Sequence, residues 1–158
     1  MARYLQGRFV PRNPEKYVGN VNNIIYRSSW EKKMFVRLDQ DPTFLKWSSE
    51  ELVIPYVSPV DGKVHRYFPD FIMEYKTRTG EIKRAVCEIK PFAQTISPKI
   101  PKRQNVRYLT EVATYAVNQE KWKQARVWAE RNKMDFVILT ENDLGISQLP
   151  KLKRSSRS

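Results

Sequence analysis

The sequence predicts one α/β domain, and three observations support this prediction. The chain has 158 residues, enough for one domain with a substantial core and too few for two. Hydrophobic residues make up 41% and aromatic residues 12%, which excludes a wholly disordered chain. Segments with helical periodicity precede and follow short strand-like runs. No apolar run approaches the ~20 residues of a membrane span, so we expect no membrane association.

The first part of the chain predicts an arm and then a helix. Residues 1–27 have two prolines, several basic residues and no clear period, which indicates an irregular basic arm. Residues 28–39 then predict a helix, because Trp30, Met34, Phe35 and Leu38 recur at helical spacing before an Asp-Pro pair. We expect the folded domain to comprise residues 28–145.

The next part predicts three strands in a meander. The stretch ELVIPYVS is the first predicted strand, and residues 66–91 are predicted to form a hairpin around the loop Arg78-Thr79-Gly80. Gly80 is expected in the left-handed conformation of a bulged turn. That turn fixes the register, which places Asp70 opposite Glu88 and Phe68 opposite Lys90.

After the hairpin, residues 92–105 predict a loop that lies near the site or covers it, or a simple connector. Two apolar patterns then predict two helices, NVRYLTEVATYAV and NQEKWKQARVWAERNK, and residues 135–141 predict a compact strand. Residues 146–158 form a basic C-terminal tail.

The predicted register makes Asp70 and Glu88 neighbouring carboxylates, with Lys90 on the same face. Two adjacent carboxylates repel each other unless a cation or a proton compensates, and oxygen ligands of this kind suit Mg²⁺. Simpler interpretations remain open. Asp70 can be part of a Pro-Asp turn, Glu88 and Lys90 can form an ion pair, and Glu31 can belong to the capping box Ser28-x-x-Glu31.

The charge of the chain indicates a polyanionic partner. Lys and Arg number 29 against 17 Asp and Glu, a formal net charge of +12, which favours DNA. An RNA-binding basic protein is a weaker alternative, because no aromatic RNA-binding motif is evident. The absence of a secretory signal pattern and the single cysteine favour a reducing cytoplasm. The candidate DNA-contacting residues are Arg27, His65, Arg66, Lys99, Lys102 and Arg103.

The Pro69-Asp70 pair followed by Glu88-Ile89-Lys90 resembles the motif of the PD-(D/E)XK nuclease superfamily. The resemblance implies a restriction-endonuclease-like core, a mixed β-sheet flanked by helices, and an acidic residue on the first helix, here Glu31. It implies Mg²⁺, with Mn²⁺ able to substitute, held by Asp70, Glu88 and the backbone carbonyl of Ile89. Glu31 is a further candidate ligand. Lys90 would orient or deprotonate the attacking water, or stabilise charge on the phosphate.

The stretches YRSSWE, WSSEE and RYFPDF resemble, more narrowly, the head completion nucleases of T-even-like tailed bacteriophages. This resemblance implies a metal-dependent DNA endonuclease that acts in the host cytoplasm or the virion head, after DNA packaging and before tail joining. Head, portal or neck proteins are the implied partners. Two alternatives remain: a transposon endonuclease of the TnsA type, and a structural head protein that binds DNA without cutting it.

Overall fold

The computed structural model of the protein describes residues 6–145, and its centre is a four-stranded mixed sheet. The strand order is β3 (Phe44–Ser49), β6 (Phe71–Lys76), β7 (Ile82–Ile89) and β8 (Asp135–Leu139). The first three strands pair antiparallel, and β8 pairs parallel to β7. The prediction of an α/β domain with a mixed sheet is confirmed. The predicted tail, residues 146–158, lies outside the described residues.

The sheet is covered on both faces. Helix α1 (Ser29–Gln40) packs on one face, where Met34, Phe35 and Leu38 are buried against Trp47 and Cys87. Helix α2 (Val106–Arg131) covers the other face together with a second, two-stranded sheet formed by β4 (Ile54–Val57) and β5 (Val64–Tyr67). Because both faces are covered, β7 is almost continuously apolar from Ala85 to Cys87, and the charge of Glu88 at its end is exceptional.

The hairpin between β6 and β7 has the predicted turn and register. Gly80 has φ +87°, and the N–H of Thr77 donates to the carbonyl of Glu81 at 2.8 Å. Met73 pairs with Ala85, and the ladder runs to Phe71 paired with Cys87. Continued by one residue, this register sets Asp70 against Glu88.

The first strand of the hairpin is shorter than the sequence predicts. β6 begins at Phe71, so Asp70 lies just before the strand and the predicted pairing of Phe68 with Lys90 does not form. Pro69 accounts for the break, because proline has no N–H to give to the ladder. The residues before it, β5, leave the central sheet and pair with β4. The predicted three-stranded meander is therefore wrong: the first two strands make a separate sheet.

The prediction from the sequence also lacks the edge strand β3, and it describes the segment before α1 as an irregular arm although that segment contributes to the core. That segment contains two short strands that pair with each other, β1 (Gly7–Arg8) and β2 (Ile25–Tyr26), and one 3₁₀ turn, Pro14–Lys16. Although largely irregular, it places Phe9, Tyr17 and Ile24 in the core beside α1.

The C-terminal part differs from the prediction in two ways. The two predicted helices are one continuous helix, because no glycine or proline interrupts α2 after its N-cap at Asn105. A short helix, α3 (Glu141–Leu144), follows β8, where Thr140 and Asp143 form a capping box. Among residues 6–145, no helix is both long and apolar enough to cross a membrane.

Candidate active site

The ends of β6 and β7 bring two acidic side chains together. Oδ2 of Asp70 accepts a hydrogen bond from the backbone N–H of Ile89 at 2.7 Å. Glu88, which is buried, precedes Ile89 on β7. The Asp70 carboxylate takes the place of a strand carbonyl beyond the end of the ladder, and this fixes it beside Glu88.

Both oxygens of Glu88 have a protein partner. The hydroxyl of Tyr67 donates to Oε1 at 2.6 Å, and Nζ of Lys90 lies 3.3 Å from Oε2. The Lys90 side chain is 23% exposed and that of Glu88 9%, so this ion pair lies in a recess. The backbone of Lys90 is anchored in turn, since its N–H donates to the carbonyl of Leu139 on β8. The predicted pairing of Glu88 with Lys90 on one face is present.

Glu31 lies in the first turn of α1 and is also buried. Its backbone N–H donates to Oγ of Ser28, which caps the helix, and its carboxylate accepts from the backbone N–H of Arg27 at 2.9 Å. Only half of the capping box predicted from Ser28-x-x-Glu31 is therefore present. The Glu31 carboxylate instead satisfies the N–H of Arg27, which precedes the helix, and it is close enough to Glu50 and Glu88 to feel their charges.

The electrostatics of the site are those of crowded carboxylates. Burial raises the pKa of Asp70 well above its ordinary value, and the negative charges of Glu88 and Glu31 raise it further. Burial also raises the pKa of Glu31, against the hydrogen bond from Arg27, while Glu50 and Glu88 add to the rise. The site therefore disfavours its own negative charges when no cation is bound.

Three residues of the site do not emerge from the sequence patterns. Tyr67 orients Glu88, and its pKa is raised by burial and by that carboxylate. Lys121 on α2 has Nζ 5.7 Å from the centre of the Tyr67 ring and 5.8 Å from that of Tyr56. Burial lowers the pKa of Lys121, as does Lys90, whereas Glu88 and Asp70 oppose this. The lysine therefore lies close to the acidic pair.

The third missed residue is Glu50, which follows β3. Its φ is +56°, a left-handed conformation that is uncommon outside glycine, and its N–H donates to the carbonyl of Asp70 at 3.3 Å. A local outlier of this kind often marks a functional region, but it has no signal in the sequence. Tyr67 had one signal, because it precedes the Pro-Asp pair on a strand.

The predicted DNA-contacting residues are distributed over several elements. Arg27 makes a bidentate ion pair with Glu50, in which two guanidinium nitrogens lie 2.8 and 3.0 Å from the two carboxylate oxygens. His65 contacts Asp61 at 2.8 Å in the turn between β4 and β5. The other four are exposed: Arg66 stacks over the ring of Phe68, and three lie between Pro98 and Asn105, namely Lys99, Lys102 and Arg103.

The chemistry of the donor set fits a divalent cation held by few protein ligands. Asp70 and Glu88 supply hard carboxylate oxygens, and each has lone pairs beyond those used in the contacts above. Within residues 6–145, no three acidic, histidine or cysteine side chains form a ready-made metal cage. Mg²⁺ commonly binds through one or two carboxylates and completes its shell with water and substrate phosphate, so two suffice.

Comparison with known proteins identifies the family. Residues 41–141 match the family described as TnsA-like endonuclease N terminal, a range that includes Asp70, Glu88 and Lys90. The chain belongs to the TnsA-like endonuclease family. As a TnsA-like endonuclease, it is also 41% identical over 142 residues to the head completion nuclease of enterobacteria phage T4. That alignment covers 87% of this chain and 92% of the relative. No solved structure matches the chain.

These comparisons confirm the resemblance that the motifs suggested and the prediction of a phage nuclease with a PD-(D/E)XK-like fold. Glu31 precedes the residues that the family description matches.

Proposed function

We propose that the protein is a metal-dependent DNA endonuclease of phage head assembly, with its active site at the ends of β6 and β7. The observation that carries this proposal is the pairing of Asp70 with Glu88, with Lys90 Nζ 3.3 Å from the Glu88 carboxylate. Two carboxylates that raise each other's energy are costly to keep in a half-buried recess. A bound divalent cation would remove the repulsion between the two carboxylates, and this relief would favour its binding.

In this proposal Asp70 and Glu88 hold the cation, with the carbonyl of Ile89, and Glu31 acts directly or through a water. Mg²⁺ is the expected ion, and Mn²⁺ would substitute because it accepts the same oxygen ligands. The ion would neutralise charge on the phosphodiester and lower the pKa of a bound water.

The remaining side chains of the proposed site position the Glu88 carboxylate and the attacking water, and stabilise negative charge on the phosphate. Tyr67 holds Oε1 of Glu88 and so fixes which lone pairs of that carboxylate face the cation. Lys90 orients the attacking water or stabilises charge on the phosphate. Lys121, over the rings of Tyr56 and Tyr67, brings a second positive charge to the recess.

The phage relative supports a proposal for the setting of this activity. Because the alignment spans 92% of the T4 head completion nuclease, we propose a role in head completion for this chain. We further propose that it acts on head DNA after packaging and before the tail joins. Head, portal or neck proteins are then its partners, in the host cytoplasm or in the virion head. The TnsA-like match covers the nuclease portion that a transposon endonuclease would share, and it does not favour that setting over this one.

The test is a cleavage assay with linear and circular duplex DNA in Mg²⁺, Mn²⁺ or EDTA. Wild type is expected to nick or cut DNA with either metal and not in EDTA. Asp70→Asn and Glu88→Gln should lose activity by at least ~100-fold, because each removes a charged ligand of the cation, and both should still bind DNA. The exposed Asp135→Asn serves as the matched control. Full cutting by either site variant would refute the site. Binding without cutting by wild type would favour the structural DNA-binding protein instead.

A further inference from the structure

A groove of about 430 Å³ lies beside the candidate active site, between the segment that follows Lys90 and the first half of α2. Its size is in the range of small-molecule sites in proteins. Most of the surface of its walls is apolar, and the polar side chains among them include two amides, Gln94 and Asn118, and one carboxylate, Glu111. The lining includes Gln94, Ile96, Pro98, Thr114, Tyr115 and Asn118.

The amide of Asn118 has no partner of its own. The side chain is only 6% exposed, and among residues 6–145 it makes no hydrogen bond. Among residues 6–145, the fully buried side-chain polar atoms without a partner are Nε1 of Trp47 and Nε1 of Trp122, so the Asn118 amide keeps some access from the groove that it lines. Because Asn118 lines the groove, a ligand bound there could satisfy both its donor and its acceptor.

Two elements that line the groove also carry residues of the candidate active site or follow them closely in the chain. Its first wall, the turn Phe92–Gln94, begins two residues after Lys90. On α2, Asn118 lies one helical turn before Lys121, about 4.5 Å along the helix axis. A DNA strand with one phosphate at Lys90 and Lys121 would therefore bring a neighbouring nucleotide to the groove.

The rim of the groove suits nucleic acid. The exposed cations Lys99, Lys102 and Arg103 follow Pro98 along the chain and would meet a phosphate backbone. Ile96 is also exposed, at 47%, although it is a large apolar residue, and Tyr115 offers an aromatic face. Apolar and aromatic walls accept the face of any base, and a basic rim accepts its phosphates.

We propose that this groove binds one unpaired nucleobase of the DNA substrate, next to the phosphodiester that is cut, with the Asn118 amide hydrogen-bonded to the edge of the base. The inference rests on the proposed function and adds a substrate class to it: DNA with an unpaired or extruded base near the cut. A fully paired duplex would have to extrude a base first, which costs unstacking energy. The enzyme should therefore prefer bulged, branched or frayed DNA.

The test measures binding in EDTA, where no cleavage occurs. The probe is an oligonucleotide duplex with a single 2-aminopurine, either bulged out or fully paired. Wild type should bind the bulged duplex about tenfold more tightly, the order expected for one base–aromatic contact. The fluorescence of the bulged 2-aminopurine should change on binding because the base leaves water.

Two variants and a control isolate the groove. Asn118→Leu keeps the side-chain volume and removes the amide, and Thr114→Met fills the groove from an exposed position of α2 without touching the core. Both should abolish the preference for the bulged duplex. Gln124→Leu, the same kind of change on the same helix outside the groove, should retain it. A preference unchanged in both groove variants would overturn the inference, as would equal affinity of wild type for the two duplexes.

The two proposals fail separately. If wild type cuts paired and bulged DNA equally well with metal, the proposed function stands and the base-binding groove is refuted. If wild type cuts no DNA but keeps a preference that depends on Asn118, the groove stands as a binding site and the nuclease assignment is refuted.

Discussion

At the scale of single residues, the protein keeps charges where its strands are otherwise apolar. Asp70 is fixed by one backbone N–H, and Glu88 by a tyrosine and a lysine. These contacts satisfy some lone pairs of each carboxylate and do not cancel the repulsion between them. The result is a recess that is least stable when it is fully ionised and empty.

This repulsion should be visible in the pH dependence of stability without metal. The pKa of Asp70 in the folded protein lies above the value of about 3.9 expected when unfolded. Its contribution to stability is therefore complete below that value and is lost as pH rises through the folded-state pKa. Asp70→Asn cannot ionise, so wild type should lose stability relative to this variant as the pH rises above about 4.

Urea unfolding in EDTA at a series of pH values measures this difference, with the exposed Asp135→Asn as the reference. Adding Mg²⁺ should stabilise wild type and leave Asp70→Asn nearly unchanged, because an ion that binds only the native state favours folding. Parallel pH profiles for wild type and Asp70→Asn would show that the two acids do not interact as described.

Lys121 provides a second prediction at this scale. Lys121→Met should lower DNA cutting by about ten- to a hundredfold, as expected for the loss of one charged contact. Stability should change little, because the methionine can still pack on Tyr56 and Tyr67. The measurement is the cleavage rate on duplex DNA under saturating metal. Lys123→Met, an exposed lysine on the same helix, is the control, and an equal effect of both changes would remove Lys121 from the site.

At the scale of elements, two residues at the start of α1 have different roles, one in helix stability and one in the candidate site. Oγ of Ser28 caps the helix, whereas the Glu31 carboxylate reaches the N–H of Arg27 and the electrostatic field of the site. Ser28→Ala should lower the free energy of unfolding by about 1 kcal/mol and leave cutting unchanged. Glu31→Gln should do the reverse and mainly lose cutting, since the amide can still accept from Arg27.

Chemical denaturation and a metal-dependent cleavage assay on the same two preparations measure both effects. If Glu31→Gln cuts DNA normally and only loses stability, the residue is structural and the site has two acids.

At the scale of the whole molecule, the net charge of +12 should make DNA binding strongly dependent on salt, because each phosphate contact releases counterions. Replacing Lys99, Lys102 and Arg103 together with Gln should reduce the slope of log K against log salt by about 2 to 3. The measurement is DNA affinity by fluorescence anisotropy over a range of salt concentrations.

A matched triple variant, Lys76→Gln, Arg78→Gln and Lys83→Gln, removes three exposed charges at the turn end of the hairpin, far from the acidic pair. It should leave the slope nearly unchanged. Equal slopes for the two triple variants would mean that DNA does not follow the segment beside the groove.

The hairpin and the opposition of its two acidic residues could be predicted from local residues alone. Gly80 requires a turn of known geometry, and a strand pair with a fixed turn has only one register, so the opposition of Asp70 and Glu88 could be counted from local residues. The amphipathic pattern of α1 was equally local.

Packing between distant elements sets which strands share a sheet and which residues complete the candidate site. Pro69 delays the start of β6 to Phe71, so β5 pairs with β4 instead, and only this places the Tyr67 hydroxyl on Glu88. Lys121 lies over the ring of Tyr67, the partner of Glu88, because α2 packs on the sheet as one continuous helix. Such contacts join residues far apart in the chain, so no local periodicity encodes them, and they depend on how the elements pack to bury their apolar faces.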